Sequence, residues 1–227
     1  MEITIDTMSG KKQTHLVALS SSCFLHAEVM APFFALKTAA ATQGFDLQII
    51  SGFRSYERQL LIWNEKASGK RLLLDDLSQP LDVGLLTDKQ RIFAILRWSA
   101  LPGCSRHHWG TDIDIWDAAA VPADYQFKLI ASEYDPGAPF YELSCWLHRH
   151  SKDFGFEMPY SVDGVGVARE PWHLTYAPLA KRFEEMLDLS YVRSIIDVNA
   201  LALSDAVIKH LDEIFLRFIE NPNRINS

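Results

Sequence analysis

The sequence predicts an α+β domain, built as a small antiparallel sheet with flanking helices and followed by a helical C-terminal extension. Three observations predict it. Apolar residues recur at helical spacing in several separate stretches, the first over residues 24–42. Short runs of strand character, 46–50 and 111–116, fall between those stretches. After Pro178 the pattern stays helical nearly to the end. Residues 1–178 are therefore read as one domain, and 179–227 as an extension packed on or beside it.

Each element has a local reason. Within 24–42, Phe24, Val29, Phe33, Leu36 and Ala40 fall on one helical face, and Gly44 ends the run. In 46–50, Leu47, Ile49 and Ile50 are apolar, and the turn Ser51-Gly52-Phe53-Arg54-Ser55 follows. Residues 56–68 read as a helix stopped by Gly69. A longer loop over 70–86 carries Pro80 and Gly84. Thr87 with Gln90 forms a capping box that opens a helix through Ile92, Ile95 and Leu96 to about Ala100. Pro102-Gly103 breaks it. Residues 118–139 are irregular, and 140–154 form a helix ended by Gly155. Residues 165–167 and 172–176 are strand candidates on either side of Pro171. In the extension, 179–189 and 204–219 are the clearest helices.

Composition excludes some classes. The 227 residues are 48% hydrophobic and 22% charged, so a core forms without disulfide or metal staples. The net charge of −7 argues against a nucleic-acid partner and against an anionic membrane surface. No apolar run reaches the roughly 20 residues of a spanning helix. Lys11 and Lys12 precede a short apolar run, 16–19. That run is shorter than the about 7–15 residues of a secretory core, and Glu2 and Asp6 precede it. The expectation is a start without a targeting signal and a cytoplasmic protein, with the periplasm as the other compartment. Cys23, Cys104 and Cys145 are odd in number and far apart, which suggests no disulfide framework. Nothing in the sequence sets an oligomeric state.

The chemistry concentrates in two segments. One is Cys104-Ser105-Arg106-His107-His108-Trp109-Gly110-Thr111-Asp112-Ile113-Asp114. The other is Arg169-Glu170-Pro171-Trp172-His173. Together they offer the imidazoles and carboxylates that zinc favours, and a catalytic zinc takes three protein ligands. A further carboxylate is needed to take a proton from water, and Glu170 lies three residues before His173. Pro171 argues against a helix there, so a strand with a bulge or a turn is expected.

Ser105-x-His107-x-x-Gly110-x-x-x-Asp114 with Glu170-x-Trp172-His173 resembles the signature of the VanY-like D-alanyl-D-alanine carboxypeptidases. These zinc peptidases are grouped with lysostaphin-type endopeptidases and the Hedgehog domain. Ser51-Gly52-Phe53-Arg54-Ser55 with Gln59, Pro102-Gly103, Trp146-Leu147 and Phe154-Gly155-Phe156 extend the likeness over roughly residues 25–178. The resemblance implies Zn2+ held by His107, Asp114 and His173, with Glu170 as general base. It implies Arg54 as a catalytic and substrate-binding cation, and Ser105 as a substrate contact or a support for a ligand. It also implies a peptidoglycan-derived peptide as substrate, cut at a D-Ala-D-Ala or related terminal bond. The chain departs from the pattern at Asp112, where the family usually has Ala. On a strand, Asp112 and Asp114 share a face. Asp112 is therefore read as a metal ligand, a contact for a substrate amine, or a group that raises its neighbour's pKa.

Other readings stand beside these. His108 is a second candidate ligand or a pocket wall. Arg54 would also serve as a helix cap or an ion-pair partner, and Ser105 as a turn residue. Trp109, Trp116 and Trp172 would pack or line a pocket. Cys104 with a histidine base would make a cysteine nucleophile, but that leaves Asp114 and Glu170 unexplained. A non-catalytic zinc-binding recognition module, or a metallopeptidase or dipeptidase for another peptide, are the alternative functions.

Overall fold

The computed structural model describes residues 2–76 and 78–220. The N-terminal part runs α1 (Ile5–Met8), β1 (Leu16–Ala18), β2 (Phe24–His26), α2 (Ala27–Thr42), β3 (Leu47–Ser51) and α3 (Tyr56–Ala67). The middle holds β4 (Leu73–Leu74), β5 (Pro80–Leu81), α4 (Asp88–Trp98) and β6 (Asp112–Asp117). Then come α5 (Tyr141–His150), β7 (Phe156–Glu157), β8 (His173–Tyr176) and α6 (Ala177–Glu184). The chain continues through α7 (Leu189–Ile195), α8 (Ser204–Lys209) and α9 (Leu211–Ile214) to a π-helical turn, Phe215–Glu220. The last residues of the expected extension, 221–227, lie outside the described residues.

Four strands form one antiparallel sheet in the order β3-β6-β8-β7, which bears out the α+β expectation. β6 is central and buried at nearly every position, so Ile113 and Ile115 enter the core while Asp112 and Asp114 point to the opposite face. The β3–β6 register shifts between Ile49 and Ser51, a bulge that brings Ser51 opposite Asp114.

Several expectations need correction. Phe24 does not begin a helix. It begins β2, paired with β1, and the helix starts at Ala27 after His26 caps it through Nδ1 accepting from the Glu28 amide at 3.1 Å. The apolar run 16–19, weighed above as a secretory core, supplies β1. The 70–86 loop contains the β4–β5 ribbon. Residues 165–167 form no strand, because the Gly164 and Gly166 carbonyls each accept from Arg97 Nη1 at 2.8 Å. The stretch 204–219 breaks at His210 into α8, α9 and the final π-helical turn. The Thr87–Gln90 capping box forms as expected.

Residues beyond 178 share the main core. Leu179, Phe183, Val192, Val207 and Ile214 belong to the same buried cluster as Leu36, Trp63, Ile95 and Ile113. Polar contacts secure the junction. Trp63 donates Nε1–H to the Ala202 carbonyl at 2.9 Å, and the Asn64 amide bonds both Ala200 and Ala202. Trp63→Ala should therefore lower stability by about 3–5 kcal/mol, through a large cavity and a lost hydrogen bond. Urea unfolding of the two proteins measures it, and a loss under about 1 kcal/mol would contradict this account of the junction.

Candidate metal centre and active site

His107 lies on a 3-10 turn, Arg106–Trp109, that runs directly into β6. Gly110 closes this turn with φ +71°, a left-handed conformation suited to glycine. A Cβ there would lie 2.8 Å from the His26 amide nitrogen and 2.5 Å from Leu16. Asp114 stands in β6 directly opposite His173 in β8. The His173 amide bonds the Glu170 carbonyl at 3.1 Å, so residues 170–173 form a turn with Pro171 in its second position. This is the non-helical geometry expected around Pro171, and it carries Glu170 back over the strand.

One ligand atom each from His107, Asp114 and His173 lies within 4.8 Å of the others, and all three residues are buried. His107 Nε2 is 3.3 Å from Asp114 Oδ2, and His173 Nδ1 is 3.2 Å from Asp114 Oδ1. The outer ring nitrogens are already engaged. His107 Nδ1 donates to the Gly52 carbonyl at 2.9 Å, and His173 Nε2 donates to Asp112 Oδ1 at 2.9 Å. The inner nitrogens, His107 Nε2 and His173 Nδ1, are thereby aimed at Asp114. Asp114 Oδ1 and His173 Nδ1 are buried with no hydrogen-bond partner among the described residues. Two imidazoles and a carboxylate with orphaned, converging atoms fit a zinc-type cation.

Asp112, whose role the sequence leaves open, orients His173. Besides His173 it accepts from Arg106 Nε at 2.8 Å, Thr111 Oγ1 at 2.5 Å and Thr175 Oγ1 at 3.1 Å. A carboxylate behind a metal-binding histidine fixes its tautomer and raises its basicity. Burial works against the Asp112 charge, but Arg106 and His173 outweigh it and hold the carboxyl well below its usual range. His173 shows the reciprocal effect. Burial opposes its charge, yet Asp112 and Asp114 raise its pKa to about 10.

The remaining candidates separate cleanly. His108 is no ligand. Its Nδ1 donates to the Arg54 carbonyl at 2.6 Å and its Nε2 accepts from the Gly103 amide at 3.1 Å. Burial pushes its pKa down to about 3, which keeps it neutral as this pattern requires. Cys104 is buried, and burial pushes its thiol up, away from the thiolate a nucleophile needs. Trp109 packs against Phe183, 5.3 Å between stacked rings, and Trp172 against Tyr134 at 5.8 Å. Trp116 packs edge-on to Phe140.

The cluster opens into a cleft of about 360 Å³ lined also by Arg54, Ser105, Glu170 and Trp172. Arg54 is held by Gln59, Nη1 donating to Oε1 at 2.9 Å. Glu170 is largely shielded from water. Its side chain is 16% exposed, and its Oε2 lies 3.5 Å from His173 Nδ1. Burial, reinforced by Asp114, pushes the Glu170 pKa up to about 7 against the pull of His173, Arg54 and Lys66. Such a group can both accept and return a proton near neutral pH.

A family model described as VanY, D-alanyl-D-alanine carboxypeptidase, matches residues 22–179. An uncharacterized protein of Haemophilus influenzae is 47% identical over 105 residues, covering 44% of this chain and 72% of that protein. A D-alanyl-D-alanine carboxypeptidase of Enterococcus faecalis is 28% identical over 141 residues, 61% of this chain and 42% of its own length. The chain thus spans less than half of that relative. Among solved structures, a vancomycin-resistance D,D-pentapeptidase VanY mutant in complex with Zn(II) superposes with a TM-score of 0.53 at 24% identity. The match covers 79% of this chain and 90% of that one, and the likeness is one of fold.

Two measurements test the centre. Asp112→Asn should weaken zinc binding about 10–100-fold, read by competition with a chromophoric chelator. In the metal-free protein His173 carries a proton at pH 7, and a metal needs its Nδ1 lone pair. Zinc uptake should therefore release a proton and weaken as pH falls, seen as a buffer-dependent heat in calorimetry. Binding without proton release would contradict the assignment of His173.

Proposed function

Because this chain belongs to the VanY D-alanyl-D-alanine carboxypeptidase family, we propose that it is a zinc peptidase cutting the terminal D-Ala-D-Ala bond of peptidoglycan-type peptides. The observation that carries the reading is the convergence of His107, Asp114 and His173 beside the largely shielded carboxylate of Glu170. His107, Asp114 and His173 would hold the metal. Zinc supplies Lewis acidity, which polarises a carbonyl and acidifies water. Glu170 Oε2 takes the proton from the attacking water and returns it to the leaving amine. Arg54, held by Gln59 in the same cleft, would stabilise the oxygen on which negative charge grows. Ser105 lines the same cleft and would contact the peptide.

A recognition module that only binds zinc needs no base, so the largely shielded Glu170 with its raised pKa favours an enzyme. The family's description supports the D,D bond, and the test has arms for both stereochemistries. Zinc-loaded protein should release D-Ala from a peptide ending in D-Ala-D-Ala, and a chelator should stop it. Release only from an L,D-linked tetrapeptide would move the assignment to the L,D bond. Release from neither would overturn the peptidase reading.

Glu170→Gln should lower kcat by about a hundredfold to ten-thousandfold while keeping its zinc. Parental turnover would remove Glu170 as the base. Arg54→Gln should cost about a hundredfold to a thousandfold in kcat. Glu170 must be ionised to accept a proton, so activity should fall on acidification. A bound divalent cation stabilises the carboxylate, placing this acid limb below about 7. The pH profile of kcat/KM measures it, and Glu170→Gln should lose that limb.

A further inference from the structure

The chain between β7 and β8, residues 158–172, is irregular, yet it carries Glu170 and leads straight into His173. Without a ladder or a helix, its backbone polar groups need other partners. Two arginines supply them to three successive carbonyls. Arg97 Nη1 donates to the Gly164 and Gly166 carbonyls, both at 2.8 Å, and Arg217 Nε donates to the Val165 carbonyl between them. The Arg97 backbone adds a further tie, its carbonyl accepting from the Ala168 amide at 2.9 Å. Next along the chain, the Glu170 amide bonds the Tyr160 carbonyl at 2.8 Å.

Both arginines are themselves fixed. Arg97 is buried in the last turn of α4. Its Nε donates to Asp76 Oδ1 at 2.8 Å and its Nη2 to Asp163. A planar guanidinium fork reaches two carboxylates and two carbonyls at once, which a lysine ammonium cannot do. Arg217 belongs to the C-terminal extension, outside the residues that the family model matches. Its guanidinium lies 5.4 Å over the ring of Phe93, one turn before Arg97 in α4, and 5.0 Å from the ring of Phe218. Phe218 packs edge-on against Phe93 at 5.6 Å.

We propose that Arg97 and Arg217 are positioning residues for the reaction, gripping residues 164–168 so that Glu170 stays over the metal cluster. The inference rests on the reading of Glu170 as the base and deepens it. Neither arginine lines the catalytic cleft, so both act through the backbone they hold. Proton transfer needs the base within hydrogen-bond reach of the water, and a misplacement of about 1 Å costs about a hundredfold in rate. Through Arg217, the C-terminal extension reaches the catalytic base.

Arg97→Met should lower kcat of the zinc-loaded protein by about tenfold to a hundredfold, with KM within about threefold of the parent. Arg217→Met frees one carbonyl instead of two and should cost about threefold to tenfold. Arg217→Lys should keep most of the activity, because an ammonium can serve one carbonyl. Arg97→Lys should behave like Arg97→Met, because one ammonium cannot span the same partners. The decisive comparison uses Glu170→Gln protein. With the base gone there is nothing left to misplace, so adding Arg97→Met should change the residual kcat by less than about twofold. A merely structural residue would lower both backgrounds alike. Zinc content and thermal unfolding establish that the variants are folded and loaded. Hydrogen exchange needs no turnover: the amides of 164–170 should exchange faster in Arg97→Met and Arg217→Met than in the parent. Equal kcat losses in both backgrounds, or unchanged exchange, overturn the positioning role and leave the peptidase standing. If the parent cleaves no peptide in the D,D and L,D panel, the peptidase reading falls and takes this role with it.

Discussion

The site depends on one imidazole held between two carboxylates. β6 and β8 run antiparallel in a register that sets Asp114 opposite His173 and Asp112 opposite Thr175. Because alternate strand residues share a face, Asp112 and Asp114 reach the two nitrogens of the same ring. Burying two carboxylates is expensive, and removing one partner from such a cluster leaves an uncompensated charge. Arg106 offsets part of that cost at Asp112, and a divalent cation would offset the rest at Asp114.

The surrounding fold keeps these groups at their distances. The bulge in β3 and the close approach of Gly52 to Phe24 put the Gly52 carbonyl against His107. A Cβ on Gly52 would lie 2.8 Å from the Phe24 carbonyl oxygen, so this backbone contact needs glycine. His108 joins the Arg54 and Gly103 backbones, linking the two loops that frame the cleft. The C-terminal helices also contribute. Glu184 pairs with Arg106, and Tyr191 donates to the Gly103 carbonyl at 2.7 Å. Residues beyond 178 thus touch the supports of the site as well as the core.

Much of this was legible in the sequence because it depends on local rules. The helix over 56–67 ends before Gly69 as read, and that over 88–98 follows from periodicity and, at Thr87, from a capping box that forms as read. Local rules fail where distant partners decide. Phe24 has helical spacing to Val29 and Phe33, yet pairing with β1 draws it into a strand. Residues 165–167 have strand composition, yet Arg97 takes the neighbouring carbonyls before a ladder can form.

The sequence by itself determined the ligand chemistry: two histidines and an aspartate in ordered motifs, with a carboxylate beside the second histidine. It also determined that Asp112 and Asp114 would share a face, since strand alternation is a property of the backbone. Only the tertiary structure decided what Asp112 does, because its partners Arg106 and Thr175 meet it through strand pairing and a largely shielded ion pair.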